Sequence, residues 1–261
     1  MSEYKQAKEK MNNLEETKKV GWVPLSEAHK QRKSMKIGIW GPEGIGKTHF
    51  ALTMPEPIYI VDTEFGVPQL FPKFTESSIT YLDVCVMDED DKIMTIASLE
   101  YAEEAVKDLA KLEEGTIIID SGTDIWSWIG DWNEKKHDNL KKSGKFYQFH
   151  WGPANRRYRV MIWSLLSKKK VNIVITAHPK DVYDSQGKQI AGLSKAAWMK
   201  RTGHWFDFVI EMKQSIVDRR PAFVGKIIKC RYENRKMAGK EIQDITYPKL
   251  YEAYKEVMGF E

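Results

Sequence analysis

Cysteine is nearly missing from this chain: of 261 residues only Cys85 and Cys230 carry a thiol. Two cysteines so far apart have no metal-ligand spacing and make no disulfide framework. They read as buried thiols of a protein kept in a reducing compartment. Long apolar runs are also lacking. None approaches the roughly 18–20 residues that span a bilayer, and no signal-peptide core stands at the N-terminus. The expectation is a cytoplasmic protein with no membrane partner. An excess of one sign of charge is lacking too, with a net of only +4, so any nucleic-acid contact has to come from local clusters of basic residues. There is no internal repeat and no low-complexity linker, which excludes solenoids and favours one domain.

What is present is concentrated in one stretch. Gly41-Pro42-Glu43-Gly44-Ile45-Gly46-Lys47-Thr48 fits G-x-x-x-x-G-K-[ST] at every constrained position. Glycines at that spacing let the backbone curl so that successive N–H groups face phosphate oxygens. The pattern assigns Lys47 to the β/γ-phosphates of ATP and the Thr48 hydroxyl to Mg²⁺, with His49 following in the same wall. An apolar run, Lys36–Trp40, precedes it, and a short helical stretch ends before Pro55.

Around this loop the pattern alternates strands and helices, which predicts a mainly parallel sheet flanked by helices. Strands are expected at 57–61, 79–85, 116–119, 171–176, 206–212 and 223–230, and helices at 98–113, 154–167 and 249–258. Residues 1–34 read either as an N-terminal extension with a short helix over 26–33 that docks through Trp22 or as a floppy leader, with residues 35–261 as the catalytic domain. Trp126, Trp128, Tyr158, Met161, Ile162, Trp163 and Leu165 are expected in the core.

The strand Thr116–Ile119 ends in Asp120, the place where phosphate-loop proteins keep the carboxylate of the Mg²⁺ shell. A turn-forming Asp-Ser-Gly is the plainer reading of the same residues. Asp62 and Glu64 lie just past the strand after the loop helix, where a carboxylate can activate water or simply be solvated. His178 ends another strand, as a donor to phosphate or as a cap. Lys229 and Arg231 alternate onto one strand face, which an ordinary polar face would also show.

Two segments suit unpaired nucleic acid. Residues 131–170 interleave eleven lysines and arginines with Phe146, Tyr147, Phe149, Trp151 and Tyr158. Residues 179–204 are polar and Gly-containing, carry Lys180, Lys188, Lys195, Lys200, Arg201 and Trp198, and read as a loop. Cations neutralise phosphates and flat rings stack on bases.

Taken together, the phosphate loop with VDTEFG (61–66), TIIIDSGTDIW (116–126), FHWGPANRRYRVMIWSLL (149–166), VNIVITAH (171–178) and KIIKCRYE (226–233) resembles the phage nucleotide-binding protein family. These are short RecA-like recombinases. The resemblance implies a RecA-like P-loop NTPase core and a Mg²⁺-dependent ATPase with Glu64 as the catalytic carboxylate, braced by Asp62. It implies His178 as a γ-phosphate sensor coupled to the following loop, and Lys229 and Arg231 as a pair reaching a neighbour's phosphate in a homo-oligomeric ring or filament. Its implied partners are single-stranded DNA and a single-strand-binding protein, and its implied transaction is annealing or strand exchange in viral recombination. A helicase motor or loader shares every catalytic feature. A small-molecule kinase would use the same phosphate loop, and a nucleotide-gated interaction protein would turn over slowly with a protein partner in place of DNA.

Overall fold

The computed structural model describes residues 34–217 and 219–259. The expected docking of Trp22 and a helix over 26–33 lie outside the described residues.

Buried runs of five or six residues, rich in isoleucine, make the centre of the sheet. β1 (Lys36–Trp40), β4 (Thr116–Asp120) and β5 (Asn172–Ala177) are buried at every position. Continuous apolar runs of this kind suit strands covered on both faces. With β2 (Ile58–Asp62), β3 (Ile79–Asp83), β8 (Phe208–Val217), β9 (Arg220–Cys230) and β10 (Glu241–Gln243) they form one sheet of order β10-β9-β8-β1-β5-β4-β2-β3. The six strands from β8 to β3 run parallel, and β9 and β10 are antiparallel additions at one side. A mainly parallel sheet flanked by helices is the architecture the alternating pattern implied.

Period-two alternation divides the core into two layers. Ile117, Ile119, Ile173 and Ile175 face α2 (Thr95–Leu109), α3 (Gly122–Lys136) and α5 (Gly152–Leu166), whose Leu99, Trp128 and Ile162 complete that layer. Ile37, Ile39, Ile118 and Val174 face the other way, toward Phe50 of α1 (Lys47–Ala51) and Leu250 and Tyr254 of α7 (Tyr247–Met258). The short helices α4 (Asp138–Lys142) and α6 (Asn234–Met237) lie on connections. Among the described residues no helix is long and apolar enough to cross a membrane.

Several local expectations need correction. α2 begins at Thr95 and not at Ser98, because the Ser98 hydroxyl accepts from Val86 N at 2.9 Å and is tied to a loop instead of capping the helix. Helix α3 had no expected counterpart. Its N-cap is Ser121, whose side chain accepts from Asp124 N. Trp163 is 50% exposed, not core. The stretch after His178, expected as a loop, is an antiparallel pair, β6 (Pro179–Tyr183) and β7 (Gln189–Ala196). Its turn is locally determined: Asp184 Oδ1 accepts from Gln186 N and Lys188 N, and Gly187 takes a φ of +80°. Trp198 then turns inward against Phe206, so it is not available for stacking on a base. Cys230 is buried as expected. Cys85 is only half-buried, and burial with the nearby Asp83 and Asp124 carboxylates pushes its thiol up to about 12.

Candidate nucleotide-binding and catalytic site

The C-terminal edge of the parallel strands gathers the polar residues. β1 runs straight into the loop Gly41–Gly46. A side chain at 41 would put its Cβ 2.4 Å from the Met212 carbonyl oxygen, so the close approach of loop and β8 requires glycine there. Gly46 holds φ +90° at the entry to α1. Lys47 folds back over the loop, donating to the carbonyls of Gly41 (3.0 Å) and Pro42 (2.8 Å). Burial lowers its pKa, against the pull of Glu64, Asp120 and Glu43. Polyphosphate beside that ammonium would restore the charge preference that burial removes.

Asp120 is the most constrained carboxylate of the site, only 3% exposed. Thr48 Oγ1 donates to its Oδ2 at 2.5 Å, and Thr176 Oγ1 donates to its Oδ1. Burial raises its pKa to about 6, against the lowering effect of those two hydroxyls. Thr48 and Asp120 therefore present an adjoining hydroxyl and carboxylate, the hard oxygen donors that suit Mg²⁺. A magnesium ion held there would supply charge neutralisation at the phosphate oxygens.

β2 ends in a tight turn that Asp62 holds. Its carboxylate accepts from Glu64 N (3.0 Å) and Val67 N (3.2 Å), and burial raises its pKa. The turn aims Glu64 across the strand ends. Glu64 Oε1 lies 2.6 Å from His178 Nε2, in position for the ring N–H to donate. The backbone N–H of His178 donates in turn to Thr123 Oγ1 at 2.9 Å. A cavity of about 250 Å³ lies over the loop, and Lys47, Thr48, His49 and Glu64 all line it.

The family model of the AAA domain matches residues 33–241, four-fifths of the chain. The chain belongs to the AAA domain family. That places it among the P-loop ATPases, whose members bind ATP with Mg²⁺. No curated protein matches the sequence. Among solved structures, a KaiC-like protein from the hyperthermophilic archaeon Pyrococcus horikoshii OT3 is similar over 80% of this chain and 84% of its own, at 15% identity and a TM-score of 0.40.

Within this AAA domain the structure brings Lys47, Thr48, Glu64, Asp120 and His178 to one edge. Lys229 and Arg231 it does not. β9 runs antiparallel to β8, with Lys229 opposite Val209 and Cys230 opposite Phe208, so the pair lies at the edge away from the phosphate loop. Both side chains grip one turn. Lys229 Nζ donates to the carbonyls of Gly203, His204 and Phe206 at 2.8–3.0 Å, and Arg231 donates to those of His204 and Trp205. Neither side chain faces this chain's own phosphate loop. The sequence reading missed Thr63, Ser121, Asp124 and Thr176. Asp124 Oδ2 accepts from Thr63 Oγ1 (2.7 Å) and Ser121 Oγ (2.9 Å), locking the β2 and β4 ends together. The only signal for them was that each stands one to four residues from a strand-end acid or histidine.

Proposed function

We propose that this AAA domain is a DNA-coupled, RecA-like ATPase. It would hydrolyse ATP at the phosphate loop and use the cycle to bind and release single-stranded DNA, in annealing or strand exchange alongside a single-strand-binding protein. The observation that carries the reading is the Glu64–His178 contact at the root of the β6–β7 hairpin. Glu64 lines the cavity over the loop, where a carboxylate can take the proton of a water attacking the γ-phosphorus as the bond to ADP breaks. His178 touches that carboxylate and is one residue from β6. Its carbonyl accepts from Ala197 N at 2.8 Å, at the far end of β7. A change at the γ-phosphate that moves Glu64 thus has a short path into both strands of the hairpin.

Two surfaces support the DNA part of the reading. The hairpin exposes Lys188 and Lys195. In the 131–170 segment, Tyr147 and Phe149 stay exposed and lie stacked with centroids 5.9 Å apart, among exposed Lys135, Lys136 and Lys145. Arg157 and Tyr158 drop out of that surface: the first is bound bidentately by Glu103 and the second is fully buried. The test is steady-state ATP hydrolysis with and without single-stranded DNA at low and moderate salt. Stimulation that weakens with salt is expected. Hydrolysis indifferent to DNA would instead favour a nucleotide-gated protein switch, a reading supported by Tyr183, Ile190 and Leu193, apolar side chains exposed on the same hairpin.

We extend the reading to assembly as a homo-oligomer, with Arg231 reaching a neighbour's phosphates. Arg231→Ala and Glu64→Ala chains should each be inactive alone and partly active when mixed, because a mixed interface can combine one intact finger with one intact base. No recovery at any mixing ratio would remove the trans role and leave Arg231 as a brace of the 203–207 turn.

A further inference from the structure

Asp88-Glu89-Asp90-Asp91 is the longest run of carboxylates in the chain, and it sits in a turn that leaves from the phosphate edge. β3 ends there beside β2, with Asp83 opposite Asp62, and the chain comes back from the turn to start α2 at Thr95. The turn is held locally. Met87 bridges Ile93, and Asp88 Oδ1 accepts from Asp90 N and Lys92 N, each at 2.9 Å. All four acids are exposed, and Lys92 offsets one of them by pairing with Asp90. Met87, Ile93 and Met94, which flank the acids, are 40–47% exposed.

A surface of opposite character lies farther along the same helix. A groove of about 460 Å³ runs between α2 and α5. Val106 and Met161 are its buried floor, Ala110 is half-buried, and Val160 stands 67% exposed on the α5 wall. Exposed apolar surface of this kind marks contact sites. Lys107 lines the groove from α2 and Arg156 from α5, both exposed and, among the described residues, without a carboxylate partner. The one acid of the groove, Glu103, is already bound bidentately by Arg157, and Ser164 is neutral. The groove is thus apolar below and positive at its rim, whereas the turn is negative at its tip and apolar at its flanks. Unbranched methionine chains adapt well to an irregular apolar floor.

A turn cannot fill the groove of its own chain. About 18 Å of rigid helix separates Thr95 from Lys107, and α2 runs away from the phosphate edge toward the edge where β4 begins.

We infer that the acidic turn 87–94 of one copy docks in the α2–α5 groove of the next. Its exposed methionines meet the apolar floor, and its carboxylates meet Lys107 and Arg156. The contact joins unlike surfaces, so it is head-to-tail and repeats into a ring or a filament. It runs in the same sense as the contact proposed for Arg231, from the phosphate edge of one copy toward the opposite edge of its neighbour. The inference rests on the reading that the chain assembles with itself, and it supplies surfaces that would hold the copies together.

The test is a charge swap, read by sedimentation velocity of the full chain with and without ATP. One variant reverses the groove, Lys107→Glu with Arg156→Glu. The other reverses the turn, Glu89→Lys with Asp90→Lys, and keeps Asp88, which holds the turn in shape. Each alone should associate at least about tenfold more weakly than the natural chain, because like charges then face each other. An equal mixture should recover the natural association, since each variant offers the other a complementary turn and groove. Either variant assembling alone as the natural chain does would overturn the inference. So would two variants that melt like the natural chain and fail to associate when mixed. A groove variant that assembles normally but loses single-stranded DNA would assign the groove to nucleic acid instead. A natural chain that stays monomeric at every concentration would remove the assembly reading itself, and the inference with it.

Discussion

A Glu64→Gln chain should bind ATP as the natural protein does and hydrolyse it slower by a factor on the order of 10²–10⁴, the usual worth of a positioned general base. The prediction singles out Glu64 among four carboxylates because the other three are spoken for. Asp62 accepts two backbone N–H groups, Asp124 accepts two hydroxyls, and Asp120 lies between Thr48 and Thr176. Of the four, only Glu64 lines the cavity shared with Lys47 and Thr48. Glutamine keeps the length of the side chain and an oxygen to accept from His178, so local structure should survive while proton acceptance is lost. Single-turnover phosphate release, set beside nucleotide affinity, separates the two effects. An unchanged rate would reduce Glu64 to a solvated strand-end acid.

Asp120→Asn should make the nucleotide-free protein more stable at neutral pH while removing Mg²⁺-dependent hydrolysis. Burial raises the Asp120 pKa from an ordinary value near 4 to about 6. The folded protein therefore holds this proton more tightly than the unfolded chain does. Its stabilising contribution is complete below about pH 4 and is lost as pH rises through about 6. At pH 7 and above the ionised group costs on the order of 3 kcal/mol, net of the stabilisation that Thr48 and Thr176 give it. An amide carries no such charge, so the melting temperature of Asp120→Asn should exceed that of the natural chain at pH 8, and the gap should close toward pH 4. An equal melting temperature at pH 8 would mean that the two hydroxyls fully compensate the charge. Sites that keep a buried carboxylate ionised for a metal give up stability for function, and this is where the AAA domain would do so.

Features dictated by neighbouring residues were legible in the sequence. The phosphate loop spans eight consecutive positions, so its glycines, Lys47 and Thr48 are arranged by local backbone geometry. The runs 36–40, 116–120 and 172–177 read as covered strands because every residue in them can be buried. Asp62, Asp120 and His178 were found as strand ends, since an apolar run that stops at a polar residue marks its own boundary.

What the residues do to one another depended on sheet order, and no local pattern encodes that. Glu64 meets His178 across 114 positions only because β4 lies between β2 and β5. Thr48 and Thr176 reach the same carboxylate because β1 and β4 both flank β5. Lys229 and Arg231 fell on one face, as period two requires, but the antiparallel course of β9 took them to the opposite edge. Trp163 and Trp198 exchanged their expected places because a tryptophan fits either a core or a surface, and packing against Phe206 settled only the second. The sequence alone determined the loop, the strands and the residue types at their ends. The tertiary structure alone decided which ends meet, because strand order follows from burying both faces of the sheet at once, a free energy that belongs to the whole chain and to no segment of it.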